Sequence, residues 1–212
     1  MSTAPIRIKS HWFKPGTPKT AEQQAGAMGF TIWRVAQQAL KRMRGAAFDI
    51  DAGEPYFAFM REMLVFLVVV ADRLAHQRFD AGRRAAFTTA LVLHVAATLQ
   101  DNEHDLLGPP APGQPPSRER FIDLFNELSG HYAEFGTEPG ADEAAEFSPG
   151  FAFVRYLGHR LEPTLPPKDR RWVIEQVMAA EAPDAVALVQ RTMRDLHSTA
   201  PRRMRHSSVS AD

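Results

Sequence analysis

At 212 residues, the chain is long enough to bury one sizeable core without a second domain. Hydrophobic residues make up 44% and charged residues 24%, and with no cysteine there can be no disulfide, thiolate metal ligand or cysteine nucleophile. The formal net charge is zero but uneven, with 8 basic and 2 acidic side chains in residues 1–50 against 2 basic and 11 acidic in residues 101–150. This balance argues against general nucleic-acid binding, which needs a basic face.

Residues 1–19 contain Pro5, Pro15, Gly16 and Pro18 and read as an irregular arm. No apolar run follows the basic residues of Met1–Ser10, so no secretory signal is expected and a cytoplasmic protein is predicted. The arm carries His11-Trp12-Phe13, an adjacent aromatic pair expected to dock on the body of the protein or on a partner. Thr20 and Gln23 have capping-box spacing and open a first helix. Its apolar positions Met28, Ile32, Val35, Ala39 and Met43 recur every three or four residues.

A second helix is predicted from about Pro55 to Phe79. Its middle, Met63–Ala71 (MLVFLVVVA), is apolar on every side. It is too short to span a bilayer, which takes about 20 residues, so it is expected to be the central helix of a core. A third helix should run from Asp80 to Leu107, with Gly108 ending it and Val92, Val95, Leu99 and Leu106 on its apolar face. Arg83 and Arg84 sit near its start, where the helix dipole disfavours cations, and read as surface positions.

Five prolines in Pro109–Pro116 predict a stiff, extended spacer. A fourth helix opens at Ser117, whose hydroxyl can cap it, with Phe121, Leu124, Phe125, Leu128, Tyr132 and Phe135 on one face. An acidic loop over 136–149 leads to a short helix over 151–161, on which His159 is expected to be exposed. A sixth helix from Lys168 to about His197 should bend or split at Pro183-Asp184. The basic tail 198–212, with Arg202, Arg203 and Arg205, is expected to be disordered. Nothing alternates at period two, so the predicted fold is all-α. It is a single-domain bundle of about six helices over 20–197 around the central helix, flanked by the arm and the tail.

The chain has no G-x-S-x-G, P-loop or G-x-G-x-x-G motif. What it does have is three acid–histidine pairs at helical spacing: Asp72-His76, Asp101-His104 and Glu127-His131. Helical bundles build metal sites from such groups, although no Glu-x-x-His is present and Asp101-Asn-Glu-His104 is the nearest approach. Projection on the helices moves Glu127 toward solvent and leaves His131 at a border. Glu62 and His76 form one polar stripe, His94 and Asp101 another, and His104 lies between faces.

Glu62, His76, His94, Asp101, His104 and His131 are therefore the candidate metal ligands, with zinc or iron as the cation they could hold. The bland alternative is that these stripes face water. Two functions follow. The first is a non-enzymatic protein-interaction or assembly module with a protein partner or a second copy of itself. The second is a metal-dependent bundle protein with a His/carboxylate site between helices. No cofactor is expected on the first reading. A helical transcription regulator is disfavoured, because 20–48 reads as one continuous helix with no basic recognition helix.

Overall fold

The computed structural model describes residues 19–136 and 145–197. The basic tail, the aromatic pair of the arm and part of the acidic loop therefore lie outside the described residues. What is described is an all-α, single-domain bundle: α1 (Ala21–Gly45), α2 (Glu54–His76), α3 (Ala81–Leu107), α4 (Ser117–Ala133), α5 (Phe151–Leu161), α6 (Pro167–Gln176) and α7 (Ala182–His197). A π turn (Val177–Glu181) joins the last two into one rod.

The helix ends follow local chemistry. Thr20 and Gln23 form both halves of the capping box, each bond 3.2 Å long. Asp80 caps α3 by accepting from the Arg83 amide at 2.8 Å, and Gly108 ends it at φ +84, a conformation side chains resist. Gly53, at φ +119, turns the chain into α2 ahead of Pro55. The spacer after α3 is not straight. The Gln114 amide donates to the Ala111 carbonyl at 3.0 Å around Pro112-Gly113, and Gly113 at φ +85 supplies the positive φ of a type II turn.

The core forms around α2, where every residue from Glu62 to Ala71 is buried. The β-branched run Val68–Val70 stays helical because packing on all sides outweighs its weak strand preference. α1, α3, α4, α5 and α7 all pack against α2, and α1 also lies along α3 and α7. α1 and α3 run parallel: Arg83 reaches Lys19 and Gln24 at one end, and Gly29 meets His94 further along. No helix among the described residues is long and apolar enough to cross a membrane.

The rod from Pro167 to His197 shows how the π turn arises. At 100° per residue, Val173 and Val177 point about 150° away from the stripe of Ala182, Ala185, Val186, Val189 and Met193. All of these residues are nonetheless buried. One residue wound into a wider turn takes back about 100° of that mismatch. The Ala182 amide accordingly donates to the Val177 carbonyl, five residues back. Pro183, with no amide hydrogen to offer the preceding turn, follows at once. The break expected at Pro183-Asp184 is thus a change of winding within a continuous rod.

Two details differ from expectation. Ser117 does not cap α4: it is the first helical residue, and its hydroxyl donates to Glu103 at 2.5 Å. Leu106, expected on the apolar face of α3, is 55% exposed.

Candidate functional site

Of the six candidate ligands, Glu62 and His131 are drawn toward one cluster, built where α2, α4 and α5 meet. Glu62 is buried on α2. It would be an expensive lone charge there, and Arg160 of α5 neutralises it with a two-pronged contact, Nη2 to Oε1 at 2.6 Å and Nε to Oε2 at 3.0 Å. Burial disfavours the Arg160 cation, but the bond to Glu62 outweighs it and raises the guanidinium above its ordinary range.

Aromatic rings pack over this ion pair. Tyr132 of α4 lies 4.6 Å from Phe153 and 5.1 Å from Tyr156, and Phe66 of α2 lies 5.7 Å from Phe153. At the rim, His131 Nδ1 is 2.8 Å from the Tyr156 hydroxyl. With Nδ1 unprotonated, that hydroxyl donates to it and Nε2 carries the ring proton.

The tyrosines set the chemical character of the cluster. Burial raises the pKa of Tyr156, with the Arg160 cation opposing the shift. Burial raises Tyr132 much further, and the Glu62 carboxylate adds to the effect. Both hydroxyls therefore stay protonated around neutrality and serve as hydrogen-bonding groups rather than phenolate bases. The sequence projection missed Tyr156 and Arg160. Arg160 stands at the end of the short fifth helix, and nothing local links it to a glutamate 98 positions away.

The other candidates lie elsewhere. Asp72 accepts from Arg84 at 2.9 and 2.5 Å and from the Thr88 hydroxyl at 2.6 Å. Its helical neighbour His76 stands with Nδ1 3.3 Å from the same guanidinium. Arg84 thus bridges the Asp72-His76 pair from α3. His94 lays its ring on α1, where a β-carbon on Gly29 would fall 2.5 Å from Cδ2. Asp101 and His104 are both exposed, and so is Glu127. Among the described residues, no group of three or more His, Asp and Glu side chains is close enough to hold a metal ion together.

Two further buried carboxylates are fixed in the same manner as Glu62. Glu103 is a hub that accepts from Ser117, from Arg61 at 3.2 Å and from Arg120. It ties α2, α3 and α4 at one end of the bundle. Glu181, 1% exposed within the π turn, takes Arg42 Nε on Oε2 at 2.9 Å and Gln176 Nε2 on Oε1 at 3.1 Å. Arg42 Nη2 lies only 2.8 Å from the same Oε2 but is not aligned to donate to it, so one oxygen takes the guanidinium alone. Arg83, which reads as a surface residue, donates to the Lys19 carbonyl and to Gln24 and covers the Phe79 ring at 4.7 Å.

The polar groups that this fold buries thus act as cross-helix ties. On the outer surface, three aromatic rings stand in water: Phe30 (51% exposed), Phe151 (56%) and Trp172 (51%). Each has a guanidinium over it, Arg34 at 5.9 Å, Arg155 at 5.9 Å and Arg171 at 4.8 Å. No protein-family model, curated protein or solved structure matches the chain.

Proposed function

We propose that this chain is a non-enzymatic helical interaction module of the cytoplasm, working through contact with a protein partner or with a second copy of itself. The observation that carries the reading is the set of three arginine-covered aromatic rings, Phe30, Phe151 and Trp172, on three different helices. Leaving large rings in water forfeits about 1.5–3 kcal/mol of burial apiece. Aromatic residues and arginine are also the types enriched where proteins bind one another. The arrangement of the buried charges is in keeping with this. Glu62, Glu103 and Glu181 are each neutralised by arginine from another helix and so stiffen a scaffold.

The test is a triple variant, Phe30→Ser, Phe151→Ser and Trp172→Ser, compared with wild type by size exclusion with light scattering and by crosslinking capture from the source cells. The expected result is self-association or a captured partner in wild type and at least a tenfold loss of either in the variant, with helical content unchanged. A wild-type chain that stays monomeric and captures nothing, or a variant that captures equally well, overturns the reading.

A further inference from the structure

Between α5 and the end of α4, the short segment Ala145-Glu146-Phe147 has no helix of its own. It is held almost entirely by side chains from elsewhere. Gln77, just beyond α2, donates through Nε2 to the Ala145 carbonyl at 3.0 Å and accepts the Phe147 amide on Oε1 at 2.8 Å. A carbonyl and the amide two residues on lie along one edge of an extended chain, so the Gln77 carboxamide occupies the position of a neighbouring strand. Gln190 of α7 donates to the Phe147 carbonyl at 2.8 Å. Two glutamines, one just beyond α2 and one on α7, thus satisfy three backbone groups of a three-residue segment.

The side chains of the segment are recognised as well. Phe147 is 5% exposed and lies 5.8 Å from the Phe153 ring. Glu146 is gripped from both walls, by Arg78 at 2.5 Å beyond α2 and by Arg194 of α7. Gln190 and Arg194 are four residues apart and share a face of α7, so one helix face reads both backbone and charge. Backbone bonds, a pocket for one aromatic anchor and a pair of arginines for the residue before it are the elements of a peptide-recognition groove.

We infer that the α2/α7 groove is a recognition site for an extended acidic–phenylalanine peptide segment, which the chain fills with its own residues 145–147. The inference rests on the interaction-module reading and supplies the chemistry of one partner. In the resting chain the internal segment competes from the same molecule, at an effective concentration in the millimolar range. A partner presenting Glu-Phe or Asp-Phe in extended form displaces it, and the surface then offered to that partner is Gln77, Arg78, Gln190, Arg194 and the ring of Phe153.

The experiment uses the full chain carrying Phe147→Ala, which removes the internal anchor, and a labelled capped peptide Ala-Ala-Glu-Phe-Ser-Pro followed by fluorescence anisotropy. The expected result is saturable binding on the order of tenfold tighter than to wild type, as relief from internal competition requires. That binding should be lost when Phe is replaced by Ala in the peptide or when Gln77→Ala and Gln190→Ala are added to the protein. A helical Phe147→Ala chain that binds nothing at millimolar peptide, or that binds both peptides alike, overturns the inference. If Phe147→Ala unfolds the chain, Glu146→Ala loosens the internal segment while keeping its anchor, and the same readouts decide. None of Phe30, Phe151 or Trp172 lines the groove, so failure here leaves the triple-variant result standing, and failure there leaves this one readable.

Discussion

α2 and the rod of α6 and α7 both bury apolar surface over much of their length, yet they do so by opposite means. In α2 the apolar residues cover every side of one uninterrupted winding, and the single buried charge, Glu62, is met by a helix arriving from outside. In the rod the apolar residues fall in two stripes out of phase, and the backbone changes its winding at Val177–Glu181 to bring both inward. The π turn also delivers Glu181 to the interior, where Arg42 of α1 meets it. A helix that is apolar all round tolerates any rotation about its own axis. A helix with two stripes fixes its rotation, through a wider turn that an ion pair then ties to α1.

This contrast predicts different failures. The largest effect belongs to α2. Phe66 is fully buried and packs against the rings of both Phe153 and Tyr132, so Phe66→Ala removes a central ring from the core. A loss of about 3–5 kcal/mol is expected, read as a fall in the urea midpoint with an unchanged slope. A loss below about 1 kcal/mol would mean that the centre of the bundle is loosely packed. In the rod, Arg42→Met leaves Glu181 buried with Gln176 as its remaining partner. A loss of about 2–4 kcal/mol is expected, toward the lower end because the Arg42 side chain is itself 37% exposed in the folded chain. Hydrogen exchange should show that loss as faster opening of residues 177–186, whereas Phe66→Ala should speed exchange throughout.

The two regions also differ in how far they can be read from sequence. The central position of α2 follows from Met63–Ala71 alone, because nine apolar residues between charges leave no exposed face. The capping box at Thr20 and the stop at Gly108 are equally local and are present as expected, and the start of α3 at Asp80 is fixed by a side-chain cap. The phase break in the rod is also written in the sequence, at Val177 and Ala182. A rule that looks for proline finds only Pro183 and places the disturbance just after the turn that resolves it. The candidate site was legible only in part. Spacing of three or four pairs an acid with a histidine on its own helix. The carboxylates of Glu62, Asp72 and Glu103 instead found arginines 98, 12 and 42 positions away, and on 17 positions from Glu103 to Arg120. An arginine reaches farther and forks to match a carboxylate, so it outcompetes a neighbouring imidazole wherever packing brings one near. Ser117 is not the helix cap because it already stands in the first turn, with Pro116 at the cap position, and its hydroxyl donates to the charged acceptor Glu103.

The smallest effect gives the sharpest comparison, because one substitution can be made at two helix crossings. A β-carbon at Gly158 on α5 would lie 3.1 Å from the Ile174 α-carbon on α6 and 3.2 Å from its Cγ1. Backbone stands opposite, so α5 and α6 must separate by a few tenths of an ångström. Alanine normally gains up to about 1 kcal/mol over glycine inside a helix. Against that gain stands an overpacking cost of about 1–3 kcal/mol. The expected net result for Gly158→Ala is a loss of about 1 kcal/mol. At Gly29 the β-carbon would come closer still, 2.5 Å from an atom, but that atom is Cδ2 of an exposed histidine ring. His94 can swing into solvent at the cost of one packing contact, so Gly29→Ala should change stability by less than about 0.5 kcal/mol in either direction. Urea melts of the two variants side by side decide the matter. Equal losses at both sites would mean that His94 is as fixed as a backbone atom, and the α1/α3 crossing would then be a rigid seam like the one between α5 and α6.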